Sequence, residues 1–205
     1  MARTIKIGTD YGLGGGSYTG RKGAYVKNGG VAGNHAEAWD SAGFVAASAG
    51  TLAQSQTGSW AEVFQIIDVV KANGRNKGDI RIQFGGHYEG GMSAIIGYAS
   101  VKINAFLYNV TLNRMVQTEP IFTKSIQYAG QKKWCTNYTN QNIVSTVYAG
   151  YRYRVGIRLE AVASSDGIAY GSSDWYEPIN NSLPTVCGTP GYANVNKLRV
   201  LWPAI

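Results

Sequence analysis

The segment 151–163, with the sequence YRYRVGIRLEAVA, alternates strictly between two kinds of side chain. Its odd positions are tyrosine, aliphatic or alanine, and its even positions include the charged residues Arg152, Arg154, Arg158 and Glu160. Successive side chains of a β-strand point to opposite faces, so this pattern predicts a long central strand with one buried and one solvated face. A helix would spread the same apolar residues around its circumference.

Similar alternation predicts further strands along the chain, at 4–7, 44–53, 80–84, 95–112, 121–129, 142–148 and 195–202. Segment 60–71 has helical spacing, but its Val and Ile content favours a strand. The pairs Asn73–Gly74 and Ala149–Gly150 predict tight turns. About eight or nine closely spaced strands without a convincing helix predict an all-β fold, namely a single antiparallel, jelly-roll-like β-sandwich over 1–205, with a closed barrel as the alternative.

Glycine is concentrated in the first 43 residues. This composition predicts a glycine-rich arm or loop with only brief strands, one of them near 24–27. An arm of this kind could add a strand to the sheet edge of a neighbouring subunit. The sequence GGSYTGRK at 15–22 does not form a phosphate-binding loop, because Arg21 precedes the lysine. The dinucleotide pattern G-x-G-x-x-G fails at Ser17.

Residues that commonly carry enzyme chemistry are sparse. The chain has two histidines and two cysteines, so a tetrahedral zinc site would need all four of these scattered residues. No G-x-S-x-G nucleophile elbow occurs. The carboxylates Asp166, Asp174 and Glu177 form the best acidic cluster, which could hold Ca²⁺ or cap turns, with turn capping the simpler interpretation. The sequence therefore predicts a protein that is not an enzyme and has no cofactor.

Aromatic residues near predicted loops are the first candidate binding set: Trp134, Tyr138, Trp175, Tyr176 and Tyr192. Such rings suit protein contacts or stacking on sugars, and they could alternatively close the ends of a sandwich. The cysteines Cys135 and Cys187 could form one disulfide or remain free thiols.

The arginine row on the central strand is the second candidate binding set. Arg152, Arg154 and Arg158 could bind phosphate, sulfate or nucleic acid, although a solvated strand face, or an edge kept charged against aggregation, is the simpler and favoured interpretation. The net charge is +7 and the pI is about 9.4, but the basic residues are dispersed, as is typical of general solubility charge. We find neither a membrane span of about 18 apolar residues nor the apolar region of a signal peptide at the start.

These features predict a non-enzymatic structural subunit that assembles with copies of itself into a surface layer, filament, tube or virus-like particle. The expected location is an extracellular surface or a virus particle. The alternative is a carbohydrate-binding module that uses Trp134, Trp175 and Tyr176. A nucleic-acid binder using the arginine row is a third class, and its binding would fall steeply with salt.

Overall fold

The computed structural model describes residues 1–14, 17–27, 31–40, 43–52, 54–173 and 191–203. Every regular element in these ranges is a strand. The strands are β1 (Arg3–Lys6), β2 (Tyr11–Gly12), β3 (Thr19–Lys27), β4 (Val31–Trp39), β5 (Phe44–Leu52), β6 (Ser55–Val70), β7 (Lys77–Asn109), β8 (Arg114–Tyr148), β9 (Arg152–Ser173), β10 (Tyr192–Asn194) and β11 (Lys197–Leu201). Across the described ranges, no helix long and apolar enough to cross a membrane is found.

The sheet consists of five long rows of strands. β5 and β6 continue one another along β9, since Leu52 pairs with Ile168 and Ser55 pairs with Ser165. β3 and β4 continue one another beside them. β9 pairs with β7 on its other side, and β7 pairs with β8 along its length. The order is therefore β8, β7, β9, then β5 with β6, then β3 with β4, while β10 and β11 line the first half of β7.

The predicted all-β class is confirmed. The strands form one eleven-stranded sheet, and this sheet is mixed because β1 runs parallel to β6 from Arg3 to Lys6. Its pairings are otherwise antiparallel.

The long rows bend at one level, which we call the elbow and define by Gln54, Ile96 and Tyr128. These residues have φ angles of 43°, 52° and 69°, and the register between β7 and β8 shifts at Ile96. The bend brings two halves of the sheet face to face. The Ser59 hydroxyl donates a hydrogen bond of 2.7 Å to the Ser48 carbonyl across the two halves. The core lies between these layers.

The predicted central strand is confirmed as β9. Tyr153, Val155, Ile157, Leu159, Ala161 and Ala163 are buried on its inner face, whereas the arginines lie on its outer face. Segment 60–71 belongs to β6 as far as Val70, as its β-branched content predicted. The Ala149–Gly150 turn is also present, with Gly150 at φ 84°.

The described part of the glycine-rich region is more regular than predicted. β3 and β4 each pair along their whole length with strands of the same chain, so this part is no projecting arm. The glycines here permit close packing. A Cβ on Gly23 would lie 2.7 Å from the Trp60 Nε1, and one on Gly20 would lie 2.7 Å from the Ala38 Cβ.

Candidate functional site

Two members of the arginine row, Arg154 and Arg158, lie beside one carboxylate on the outer face of the sheet. Glu62 projects from β6, and its side chain is only 9% exposed. Its carboxylate oxygens lie 3.6 Å from Arg21, 3.6 Å from Arg154 and 3.7 Å from Arg158. Pairing of β3, β6 and β9 places these residues on neighbouring rows of one face. We call this group the Glu62 cluster.

Aromatic rings support the guanidinium groups of the Glu62 cluster. The Arg154 guanidinium carbon lies 4.2 Å from the centre of the Tyr108 ring, and that of Arg158 lies 4.2 Å from the Trp60 ring. Both distances suit cation–π attraction. Arg158 Nε also donates to Glu160 at 2.7 Å. Arg154 and Arg158 are therefore held within a structural network, which does not favour them as a free anion site.

The third member of the predicted row, Arg152, binds a different carboxylate. It donates two hydrogen bonds to Asp68, of 2.7 and 2.9 Å. This hydrogen bonding holds the pKa of Asp68 below its usual value of 3.8. A lowered folded-state pKa stabilises the fold at pH values above 3.8, and this contribution is lost as the pH falls through the lowered value. Because the pair is exposed, its contribution is small.

The structure corrects the predicted stacking platform. Trp134 and Tyr138 are buried, at 7% and 8% exposure, because they lie on the inner face of β8 and not in a loop. Trp134 packs on Phe122 with ring centres 4.9 Å apart. The Tyr138 hydroxyl donates to the Asn194 carbonyl at 2.7 Å, and burial raises the pKa of Tyr138 above its usual value. Neither ring can stack on a sugar.

The remaining predicted aromatic residues are Trp175, Tyr176 and Tyr192. Trp175 and Tyr176 lie outside the described residues. Tyr192 is half-buried and packs on Phe44 and His87, with ring centres 5.1 and 5.7 Å apart. It therefore contributes to packing between β10, β5 and β7.

Cys135 forms a disulfide. The other cysteine of the chain, Cys187, lies outside the described residues. The ligand atoms of His87, Glu89 and Cys135 lie within 4.8 Å of one another, but a disulfide sulfur offers no thiolate to a metal ion. The side chains of the predicted Ca²⁺ ligands Asp166, Asp174 and Glu177 also lie outside the described part.

The disulfide leads to a simple prediction. Denatured protein that has not been reduced should take up no iodoacetamide, whereas reduced protein should take up one label at each of its two cysteines. Intact-mass spectrometry measures both values. Labelling without reductant would contradict the disulfide.

β8 forms a long free edge of the sheet. Among the described strands it pairs with β7 alone. Between 114 and 140 this edge is protected in ways that discourage a further strand, namely four register shifts, Pro120, and the lysines Lys124, Lys132 and Lys133. Two of its carbonyls are also occupied by side chains. Lys132 Nζ donates to the Ser125 carbonyl at 2.7 Å, and Gln141 Nε2 donates to the Pro120 carbonyl at 3.2 Å.

The last part of β8, residues 141–148, has none of these protective features, and we call it the edge segment. Its sequence, QNIVSTVY, contains no charge, glycine or proline. Its register with β7 is regular throughout, and Val144 and Tyr148 are 52% and 45% exposed. The alternation predicted a strand at 142–148, but no local signal marked it as an edge, because the order of strands depends on distant pairing.

No family model and no curated protein matches this chain. Several solved structures show a weak likeness, including the following two. The enzymatically active domain of bacteriophage CBA120 tailspike protein 4 has a TM-score of 0.21 at 12% identity, over 74% of this chain and 19% of that chain. The structure of infectious bursal disease virus Gx strain has a TM-score of 0.21 at 12% identity, over 92% of this chain and 42% of that chain. This chain thus spans less than half of either one, and likenesses this weak carry no argument about function.

Proposed function

We propose that the protein is a non-enzymatic structural subunit that joins copies of itself by strand pairing at the edge segment. The contrast within β8 carries this proposal. Most of that strand is protected against pairing, whereas 141–148 presents a regular, uncharged edge rich in β-branched residues. Exposed segments of this kind are sites of edge-to-edge association.

The geometry of the edge segment permits antiparallel pairing with itself. Residues directly opposite one another across two strands must lie on the same face if the sheet is to continue. A register centred on Ser145 satisfies this condition, because it places Val144 opposite Thr146 of a second copy. No like charges meet in this pairing, and the contact has two-fold symmetry.

One such contact produces a dimer. A surface layer, filament, tube or virus-like particle needs a second kind of contact, for which the outer edges of β3 and β4 are available among the described strands. An assembly of this kind is expected at an extracellular surface or in a virus particle.

Introducing a charge at the centre of the edge segment should weaken self-association. We expect Val144→Lys to raise the dissociation constant of the dimer roughly tenfold or more, because the two-fold contact places the two lysines on the same face, diagonally across the paired strands. Val144 is 52% exposed, so the fold of the subunit should be retained. Sedimentation velocity over a range of concentrations measures the dissociation constant.

The matched control is Thr118→Lys, which adds the same charge at an exposed position in the protected part of β8. It should associate like the wild type. A wild-type protein that stays monomeric at all concentrations would refute strand pairing at this edge. Equal weakening by both substitutions would instead assign the effect to net charge.

A further inference from the structure

A cleft of about 900 Å³ opens at the elbow, away from the edge segment. Four of the five long rows contribute to it through residues next to the bend, namely β7, β8, β9 and the row of β5 with β6. The principal side chains are Gln54, Gln56, Tyr98, Gln127, Tyr128 and Ser164. Every described lining residue is uncharged, although the chain as a whole carries a net charge of +7.

Unusual backbone conformations are concentrated at this cleft. Six described residues other than glycine have positive φ, and three of them are asparagines, which tolerate this conformation. The other three are Gln54, Ile96 and Tyr128, and all three line the cleft. A sharp bend explains the positive φ angles, but glycine would supply them with less strain. Side chains kept at strained positions indicate that the side chains themselves are used.

The ring of Tyr128 is not needed for the core. The residue is 78% exposed at the cleft, so the ring gains little from burial. An exposed aromatic ring beside amide and hydroxyl groups matches the surface of a sugar, whose C–H face packs on a ring and whose hydroxyls exchange hydrogen bonds with amides. An uncharged lining favours a neutral sugar over a sulfated or acidic one.

We propose that the elbow cleft is a binding site for neutral glycans, in which Tyr128 supplies a stacking ring and Gln54, Gln56 and Gln127 supply hydrogen-bonding groups. This site is distinct from the loop aromatics at which the sequence predicted sugar binding. It is independent of strand pairing at the edge segment.

Native affinity electrophoresis tests the proposal. The protein, with a pI of about 9.4, migrates towards the cathode at neutral pH in gels that contain dextran, yeast mannan, galactomannan or heparin. We expect at least one of the neutral polysaccharides to retard the wild type. Retardation by none of them, or by heparin alone, would overturn the proposal.

Two cleft variants identify the site. Tyr128→Gly should abolish the retardation while leaving the melting temperature no lower than that of the wild type, because glycine relieves the positive φ. Gln127→Ala, at an exposed position, should reduce the retardation without unfolding. Tyr25→Ala removes a 39% exposed ring on β3 and should bind like the wild type. The Val144→Lys variant should also bind normally. Undiminished retardation of both cleft variants would refute the site.

Discussion

Replacing Gly156 by alanine is expected to destabilise the protein by about 3 kcal/mol or more. Gly156 lies in the middle of β9, where β6 approaches closely. A Cβ at this position would lie 1.9 Å from the Val63 carbonyl oxygen and 2.6 Å from the Phe64 Cα. Both are backbone atoms of the neighbouring strand, so no change of rotamer can relieve the contact. The central pair of strands must separate, or β9 must shift out of register.

The rings of Phe64 and Phe106 add to this effect. They flank Gly156 from the two adjacent strands, with ring centres 6.4 Å apart, and both residues are almost fully buried. The space on both sides of Gly156 is therefore already filled by these two rings, and no room remains for a methyl group. For a domain of this size, 3 kcal/mol corresponds to a fall in melting temperature of about 6–12 °C.

Thermal and urea unfolding measure the change, and Gly12→Ala is the control. A Cβ on Gly12 would meet nothing within 4 Å, so this substitution should change the free energy of unfolding by less than about 0.5 kcal/mol. If Gly156→Ala and Gly12→Ala had the same free energy of unfolding, the result would contradict the close approach of β6 to β9.

Gly156 also illustrates what the sequence could and could not reveal. The alternation at 151–163 predicted the strand and its buried face, because that information is local and has a period of two. It placed Gly156 on the outer face, but it did not indicate that the backbone of a neighbouring strand occupies the volume that a side chain at this position would need. Which strand lies beside β9 depends on residues nearly a hundred positions away.

The elbow was missed for a related reason. Gln54, Ile96 and Tyr128 are not turn-forming residue types, so the sequence predicted strands running straight through or ending near these positions. The bend arises because two halves of one sheet bury their inner faces against each other. That gain comes from tertiary packing and outweighs the local backbone preference.

The candidate binding residues show the same limit. Trp134 and Tyr138 fall outside the strands that the alternation predicts, so the sequence places them in loops, yet their spacing of four also fits the inner face of a strand. The arginine row was placed on the correct face of β9. Its partner Glu62 could not be identified, because it comes from β6.

The Glu62→Gln substitution is expected to cost about 2–4 kcal/mol of folding stability. The glutamate side chain is 9% exposed and is the carboxylate that Arg21, Arg154 and Arg158 share. Glutamine has a similar shape but no charge, so the arginines would repel one another beside a partly buried surface. Arg154 is the most affected, because its side chain is 16% exposed and its Nε has no hydrogen-bond partner among the described residues.

Urea unfolding of three variants distinguishes this explanation from a loss of packing. Glu160→Gln, which removes a 34% exposed partner of Arg158, should cost no more than about 1 kcal/mol. Adding Arg154→Met to Glu62→Gln should recover part of the loss, because it removes the charge left without a partner. Raising the salt concentration should also reduce the difference from the wild type, since salt screens repulsion among the exposed arginines. If Glu62→Gln cost no more than Glu160→Gln, the arginines would not depend on Glu62, and the outer face would be an ordinary solvated surface.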